Sequence, residues 1–459
     1  MMFFRPMQKP ILTAAPLRPV VALAACVALL VSAFIAIAPA RAAVEIQKVV
    51  SDKGITAWLV EDYSVPLISI RFAFEGGSTQ DPAGKEGLAQ LMSGLFDEGA
   101  GDLERKAFQD RLDASGAEMS FSSGADAFYG SMRMLAEERA AAFELLALAV
   151  NRPRFDAEPL TRIRAQLIAR LKARERDPGT RADIAWTSAI YGEHPYARRS
   201  EGTAETLTGL SADDLTAFHG RLFARDNLVV GVVGAIDAET LKGELDRVFG
   251  ALPAAPRLAP VNQVEPKLDQ RIALDFDVPQ ASLRLAYPGL ARDDPEFFAA
   301  YLMNHVLGGG TFSSRLFTEV REKRGLAYGI GSGIVNRDYS SALMIGTSTR
   351  ADRAAETLAV IRDVVKEMAE NGPTAQELAD AKAYVKGAYA IGNLDTSMAI
   401  ARTLVDLQVE DLGIDYIERR EALIDAVSLD AVKKVAKRLL SAEPAVMIVG
   451  PAAGTDKED

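Results

Sequence analysis

The stretch VPLISIRFAF at residues 65–74 occurs twice in this chain, and the repetition decides the fold. It returns as VPQASLRLAY at residues 278–287, which is an offset of 213 residues. The pair Asp81-Pro82 also returns, as Asp294-Pro295, at the same offset. Alternating polar and apolar residues predict a half-buried strand in each copy. Repetition over this distance predicts two similar lobes in tandem.

The ends of the two halves also resemble each other. The segment SADDLTAF at 211–218 is echoed by SLDAVKKV at 428–435, and each is followed by a Val-Gly pair. Between the halves, the proline-rich stretch 251–270 interrupts both periodicities, as an extended linker does. We therefore place lobe one at 43–250 and lobe two at 271–459.

Both lobes contain helix and strand patterns. Amphipathic helices are predicted by apolar spacing and helix-forming residues at 138–150, 160–175, 352–370 and 375–391. Strands are predicted by alternation or short apolar runs at 67–74, 227–233, 281–287 and 445–449. Elements mixed in this way predict an α+β fold in which helices pack on one sheet in each lobe.

The first 42 residues predict an export signal. Basic residues precede an apolar stretch from Val20 to about Ala38, and Ala40-Arg41-Ala42 is a cleavage site of the A-x-A type. We expect the mature chain to begin at Ala43, to lie in the periplasm and not to insert stably into the membrane. A retained anchor is the alternative, because the apolar stretch is about long enough to span a bilayer. Lipidation at Cys26 is a minor alternative.

Charge and cysteine content narrow the chemistry. Cys26 is the only cysteine, so a chain cleaved after Ala42 has no disulfide, no thiol nucleophile and no thiolate metal site. The cleavage removes four basic residues and changes the formal charge from −11 to −15. An acidic surface argues against nucleic acid and anionic membranes as partners, and is compatible with basic peptides.

Several motifs give the mature chain a family resemblance. Gly-Leu-Ala opens a helix at 87–89, His-Pro-Tyr lies at 194–196, and REKRGLAY lies at 321–328 of the second lobe. With the two-lobe repeat, these features resemble the M16 (pitrilysin and insulinase type) peptidases, particularly the non-catalytic subunits of the bacterial M16B type. The resemblance implies two lobes that form a bowl, each a mainly antiparallel sheet with helices packed on it, as in the LuxS-like metallohydrolases.

Active members of that family carry His-x-x-Glu-His directly after Gly-Leu-Ala. Two histidines on one helical face hold zinc, and the glutamate activates the zinc-bound water as a general base. In this chain Gln90 and Gly94 occupy the two histidine positions, and Ser93 occupies the glutamate position. The metal site is therefore degenerate by this alignment.

No other residues supply the missing ligands. The family's third ligand, a later glutamate, falls near Ala169, Arg170 and Leu171. The three histidines of the chain, His194, His219 and His305, have no second histidine three or four residues away. We expect no metal on this chain and expect zinc in a partner subunit. We interpret His194, which precedes a turn proline, as a polar loop residue rather than a ligand.

Lobe two keeps the other half of the family's site. The resemblance implies that Arg321 and Tyr328 reach a partner's zinc lobe, bind the peptide backbone and stabilise the tetrahedral intermediate. A guanidinium and a phenol can donate to a carbonyl oxygen as it gains negative charge. The alternative is that the charged residues 319–324 form only a solvated helical face with i,i+3 ion pairs.

The run Gly308, Gly309 and Gly310 has two readings, a helix C-cap with a turn or the flexible, substrate-contacting loop of the family.

At the level of function, our first hypothesis is a non-catalytic, substrate-binding subunit in a heterodimer with a zinc-binding M16 chain that cleaves peptides. The second is a binding or scaffolding protein with no part in proteolysis. An enzyme with other chemistry ranks last, because no serine elbow, Walker loop or dinucleotide fingerprint stands in a supporting context.

Overall fold

Both copies of the repeated stretch form strands inside a β-sheet. The first copy is Leu67–Glu75 in a six-stranded sheet, and the second is Gln280–Pro288 in a five-stranded sheet. The structure is a computed structural model that describes residues 45–451, so the predicted signal peptide lies outside the described residues. Within that range, no helix is both long enough and apolar enough to cross a membrane.

The described strands are numbered in chain order. They are β1 Gln47–Val50, β2 Thr56–Glu61, β3 Leu67–Glu75, β4 Gly99–Ala100, β5 Leu103–Glu104, β6 Glu118–Ser123, β7 Ala127–Leu135, β8 Leu228–Gly234, β9 Arg271–Asp275, β10 Gln280–Pro288, β11 Ala327–Arg337, β12 Ser340–Arg350 and β13 Ala445–Gly450. The short strands β4 and β5 form a separate two-stranded sheet.

The two sheets share one topology once β1 is set aside. The first has the order β1-β2-β8-β3-β7-β6 and the second has the order β9-β13-β10-β12-β11. In each sheet one pair is parallel, β2 with β8 and β9 with β13, and every other pair of neighbours is antiparallel. The prediction of two similar, mainly antiparallel α+β units is confirmed.

The described α-helices are also numbered in chain order. They are α1 Leu88–Ser93, α2 Arg105–Ala114, α3 Arg139–Asn151, α4 Ala157–Arg174, α5 Pro178–Tyr191, α6 Ala204–Gly209, α7 Ala212–Leu222, α8 Ala238–Phe249, α9 Phe297–Asn304, α10 Ala354–Asn371, α11 Ala375–Asn393, α12 Ser397–Val409, α13 Tyr416–Asp425 and α14 Leu429–Leu440. Two π-helical turns, His305–Gly309 and Phe317–Glu322, interrupt the stretch between α9 and β11. The four predicted helices are confirmed as α3, α4, α10 and α11.

Each lobe has an apolar core on one face of its sheet. In lobe one, aromatic rings from β3 pack against rings of the helices, as where the ring centroids of Phe72 and Phe249 on α8 lie 5.1 Å apart. In lobe two, Leu283 and Leu343 pack under the helices that follow β12. Alternate residues along a strand point to opposite faces, so each sheet has a second face that these cores leave uncovered.

Each lobe covers that second face of the other lobe's sheet with one helix. Helix α12 of lobe two lies on β3 and β8 of lobe one, and a Cβ at Gly231 would come within 2.9 Å of Leu404. Helix α5 of lobe one lies against the second sheet, where Trp186 packs in one cluster with Met447. The two halves of the chain are therefore held together by reciprocal helix-on-sheet packing.

Charged residues follow the same reciprocal pattern. Arg284 on β10 pairs with Asp183 on α5 of the other lobe. At the repeated position on β3, Arg71 lies over the ring of Tyr129 at 4.8 Å. Burial lowers the pKa of Arg71, and the charge of Asp406 on α12 opposes that shift. Each sheet thus presents one arginine toward an aspartate on the helix that covers it.

The stretch 251–270 contains neither helix nor strand and is bonded to both lobes. Gln80 exchanges two hydrogen bonds with the backbone of Ala259, at 2.7 and 3.1 Å. Further on, the amide of Val264 donates to the carbonyl of Tyr339 at 2.9 Å in lobe two. These contacts fix the linker along the surface.

Candidate functional site

The expected zinc positions lie on and beside helix α1. Gly87 precedes this helix with a φ of 92°, and Asp81 accepts hydrogen bonds from the amides of Gly87 and Ala89, each at 2.9 Å. Burial raises the pKa of Asp81 to about 7, although these amides favour its charged form. The chain thus still builds and caps this helix.

The three replaced positions offer no set of metal ligands. Ser93 is buried, and its hydroxyl donates to the carbonyl of Gln90 at 2.8 Å, so it is used within the helix. A Cβ added to Gly94 would lie 3.2 Å from Ile163 on α4. A histidine at that position would press on α4.

The place expected to hold the third ligand is closed. A space of about 10 Å³ lies there, lined by Gln90, Leu167, Arg170, Leu171 and Glu201. Such a volume barely admits one water molecule. Its carboxylate, that of Glu201, pairs with Arg174 at 3.0 Å. Throughout residues 45–451, no three or more His, Cys, Asp or Glu side chains are grouped so that they could hold a metal ion.

The histidines have structural contacts instead. His194 accepts a hydrogen bond at Nδ1 from the amide of Tyr196 at 3.1 Å, so its Nε2 carries the proton and donates to the carbonyl of Asn262 at 2.9 Å. This agrees with the interpretation of His194 as a loop residue. Burial lowers the pKa of both His219 and His305.

Arg321 and Tyr328 lie side by side at the surface of lobe two. The Arg321 guanidinium is 4.9 Å from the ring centroid of Tyr328, 4.7 Å from that of Phe317 and 5.9 Å from that of Phe312. The Tyr328 side chain is 88 % exposed and that of Phe312 is 70 % exposed. The side chain of Arg321 makes no ion pair or hydrogen bond with any residue in the described part of the chain. Its donors are therefore available to a ligand.

The neighbouring charges are used differently. Glu319 pairs with Lys323 at 2.6 Å and with Arg324 at 2.5 Å, and their hydrogen bonds lower its pKa. These are i,i+4 and i,i+5 pairs rather than the i,i+3 pairs considered for a solvated helical face. Such a face does exist here, but Arg321 is not part of it.

The run of three glycines lies at the end of a helical turn, where Gly310 is the C-cap and its amide donates to the carbonyl of His305. Gly308 and Gly309 end a π-helical turn, and no glycine of the run has a positive φ, which an αL cap would require. A Cβ at Gly308 would lie 2.5 Å from the Ser332 hydroxyl, and one at Gly310 would lie 2.8 Å from the carbonyl of His305. Glycine is therefore required here by close packing against β11.

A cavity of about 670 Å³ opens beside Tyr328. Its walls come from β10, β12 and residues 325–329. The register of β11 shifts between Ala327 and Ile330, so Tyr328 and Gly329 leave the regular pairing with β12. Bulges of this kind redirect a side chain away from a sheet. The phenol of Tyr328 thus lines this cavity, and the guanidinium of Arg321 lies beside the phenol.

Sequence reasoning missed the aromatic surroundings of Arg321. Phe312 follows Thr311, a non-glycine residue with a φ of 45°, which is a strained backbone conformation. Phe312 and Phe317 lie close to Arg321 in the sequence, and this proximity could have suggested the aromatic contacts. Only the structure shows that both rings contact the guanidinium.

Comparisons with known proteins agree with this structure. A family model described as "Peptidase M16 inactive domain" matches residues 209–385. The crystal structure of a peptidase M16 inactive domain from Pseudomonas fluorescens is 31 % identical, covers 89 % of this chain and 98 % of its own, and has a TM-score of 0.82. The chain belongs to the M16 peptidase family, and its counterparts include domains described as inactive.

Some curated relatives are named as proteases and others as non-peptidase proteins. An uncharacterized zinc protease of Streptomyces coelicolor is 27 % identical over 400 residues, which are 84 % of this chain and 86 % of that protein. A Helicobacter pylori protein named a non-peptidase homolog is 25 % identical over 348 residues, or 75 % of this chain and 79 % of its own. The names of these relatives therefore do not establish whether this chain is active. That question depends on the residues of the site.

Proposed function

We propose that this chain is the non-catalytic, substrate-binding subunit of an exported M16 zinc peptidase, in which Arg321 and Tyr328 complete the active site of a zinc-binding partner. One observation carries the proposal, namely that Arg321 has no carboxylate partner and stacks beside the exposed Tyr328. A guanidinium kept free of ion pairs on an acidic protein is suited to bind an incoming carbonyl or carboxylate oxygen.

The chemistry divides between two chains. The partner would supply zinc, its bound water and the general base through His-x-x-Glu-His. This chain would supply donors to the peptide carbonyl, whose oxygen gains negative charge as water attacks. Preorganised donors of this kind contribute on the order of 3 kcal/mol to transition-state stabilisation. Gln90, Ser93 and Gly94 cannot replace the partner's contribution, since none of them offers a metal ligand of the required kind.

We also propose a periplasmic location, on the grounds of the basic and apolar N-terminal residues and the A-x-A site at 40–42. The peptides that suit an acidic subunit are basic or neutral ones. The 670 Å³ cavity beside Tyr328 gives the space for such a chain.

The experiment measures zinc content and peptide hydrolysis for the mature chain alone, for an M16 chain that carries His-x-x-Glu-His, and for the mixture. We expect neither zinc nor hydrolysis from this chain alone. Hydrolysis should appear or rise in the mixture, and Arg321→Ala or Tyr328→Phe should lower it about 10²-fold. Tyr63→Phe is the matched control, because Tyr63 is also an exposed tyrosine but lies in lobe one.

Three outcomes decide the matter. Hydrolysis that depends on Tyr328 but not on Tyr63 supports the shared active site. Peptide binding without any effect on the partner's hydrolysis would favour the scaffolding alternative. Metal-dependent hydrolysis by this chain alone would overturn the assignment of Gln90, Ser93 and Gly94 as a lost site.

A further inference from the structure

The segment that carries the proposed site, residues 315–328, is held by hydrogen bonds at each end and by buried apolar side chains between them. At its C-terminal end, the hydroxyl of Thr349 donates to the carbonyl of Leu326 at 2.6 Å, and the hydroxyl of Thr357 donates to that of Thr349 at 3.0 Å. Both threonines are buried. This end of the segment is therefore fixed to β12 and α10.

The N-terminal end is fixed by Arg315. Its Nε donates to Oε1 of Glu377 and one terminal nitrogen donates to Oε2, both at 2.7 Å. The same terminal nitrogen donates to the carbonyl of Gly372 at 3.0 Å. Only 15 % of the Arg315 side chain is exposed. One side chain thus joins the segment to the end of α10 and to the start of α11.

The acceptor of this contact is itself held in place. Glu377 also accepts from the amide and the hydroxyl of Thr374, at 2.7 and 2.8 Å, in the capping box of α11. The hydrogen bonds from Arg315 are the main reason that the pKa of Glu377 falls to about 2. A bidentate, charge-assisted contact fixes direction as well as distance, which a single ammonium cannot do.

Between the two ends the segment is held by apolar contacts, and most of it is neither α-helix nor strand. Phe317–Glu322 is a π-helical turn, and three residues separate it from a short 3-10 turn that begins at the strained residue Thr311. Leu316 and Val320 point into the core, whereas Arg321 and Tyr328 contact each other at the surface. The direction of Arg321 therefore depends on how the first turn of the segment is held.

We propose that Arg315 and Glu377 are positioning residues that hold the π-helical turn so that Arg321 and Tyr328 meet the peptide carbonyl. The inference rests on the proposed function for its effect on hydrolysis, but the ordering of the segment can be measured without it. Displacements of about 1 Å in a catalytic arrangement can lower the rate by about 10²-fold. Glu377 never contacts substrate in this proposal and acts only through Arg315.

The test uses the full mature chain mixed with the zinc-binding partner. Arg315→Met should lower kcat at least about tenfold with little change in KM, and Arg315→Lys should lower it less. Arg353→Met is the control, because Arg353 makes a similar bidentate contact with Glu356, at 2.6 and 2.9 Å, at the other end of α10. Melting temperatures of all variants show how much of each change in kcat results from unfolding.

A double-mutant cycle distinguishes positioning from general stability. If Arg315 acts through the site, the effect of Arg315→Met on kcat should shrink in a Tyr328→Phe background. An effect of full size in that background would overturn the proposal, because Arg315 would then act independently of Tyr328.

Amide hydrogen exchange supplies the second readout, without any peptidase assay. Exchange in residues 317–328 should be faster in Arg315→Met than in the native chain, intermediate in Arg315→Lys and unchanged in Arg353→Met. Unchanged exchange in Arg315→Met would overturn the inference. If Tyr328→Phe itself leaves hydrolysis unaltered, the proposed function fails, and the exchange data alone decide whether Arg315 orders the segment.

Discussion

Gln90, Ser93 and Gly94 show how a site can be lost while its scaffold persists. Asp81 still caps α1, and α4 still lies beside it, but the residues between them now fill the space. The loss is thus more than a change of three side chains. Arg170 and Leu171 occupy the position from which a third ligand would come.

Restoring the motif should therefore fail to restore the metal. We expect the triple variant Gln90→His, Ser93→Glu, Gly94→His to hold no stoichiometric zinc after dialysis and to melt at a lower temperature. An added Cβ at position 94 would lie 3.2 Å from Ile163. The carboxylate that lines the adjacent space, that of Glu201, is already paired with Arg174. Metal analysis and calorimetry check this, and one tightly bound zinc per chain would contradict it.

Glu377 should make the free energy of unfolding depend on pH in the acidic range. Its folded pKa is lowered to about 2 by Arg315, whereas an unfolded glutamate titrates near 4.3. A lowered folded pKa stabilises the native state above about pH 4.5, and that contribution disappears as the pH falls toward 2.

We therefore expect wild type to exceed Glu377→Gln in free energy of unfolding at neutral pH, by on the order of 2 kcal/mol. The difference should narrow between about pH 4.5 and 2 as the carboxylate is protonated. Urea unfolding at a series of pH values measures it. A difference that stays constant over that range would show that the charge of Glu377 does not contribute.

At the scale of elements, the two lobes exchange helices. Helix α12 of lobe two and helix α5 of lobe one each cover a sheet that belongs to the other half of the chain. The contact is close at Gly231 on β8, where a Cβ would lie 2.7 Å from the carbonyl of Ala401. No positive φ is involved there, so close packing alone requires the glycine.

Substitution of Gly231 should push α12 away from the first sheet. We expect Gly231→Val to lower the free energy of unfolding by about 1–3 kcal/mol, as overpacking does. Gly346→Val is the matched control, because Gly346 also lies within a strand but its Cβ would meet open space. Chemical denaturation compares the two variants, and equal effects would show that the lobe contact is not tight.

Sequence patterns predicted the two sheets but not this exchange. The repeat at 65–74 and 278–287 located the central strands, because alternation along a strand is a local property. Leu404 and Val405 show only that one face of α12 is buried, and no local pattern states which sheet covers it. Likewise, the run 319–324 is rich in charge, but only the folded chain separates the free Arg321 from the paired Arg324.

At the scale of the whole molecule, contacts between helices and sheets join the two lobes in addition to the linker. The reciprocal helices, the pair of Arg284 with Asp183, and the bonds from 251–270 to both halves all join the lobes. Packing of this kind couples the unfolding of the two halves.

A cut in the linker should leave the protein assembled. We expect a chain with a protease site inserted after Pro260 to elute as one species after cleavage, with both fragments present. Size-exclusion chromatography followed by denaturing electrophoresis measures this. Two separate peaks in native buffer would mean that the linker, rather than the exchanged helices, joins the halves.

The exchanged helices also bear on how a peptide could gain entry. A protein whose two lobes meet at a hinge can open by separating the lobes. Here the sheet of each lobe is covered by a helix of the other lobe, so separation would expose two apolar sheet faces. In the heterodimer proposed above, a chamber enclosed by the two chains would therefore open along the contact between them. Peptides would then enter when the contact between the two chains opens or dissociates. Dilution of the two chains would therefore change the rate of substrate binding.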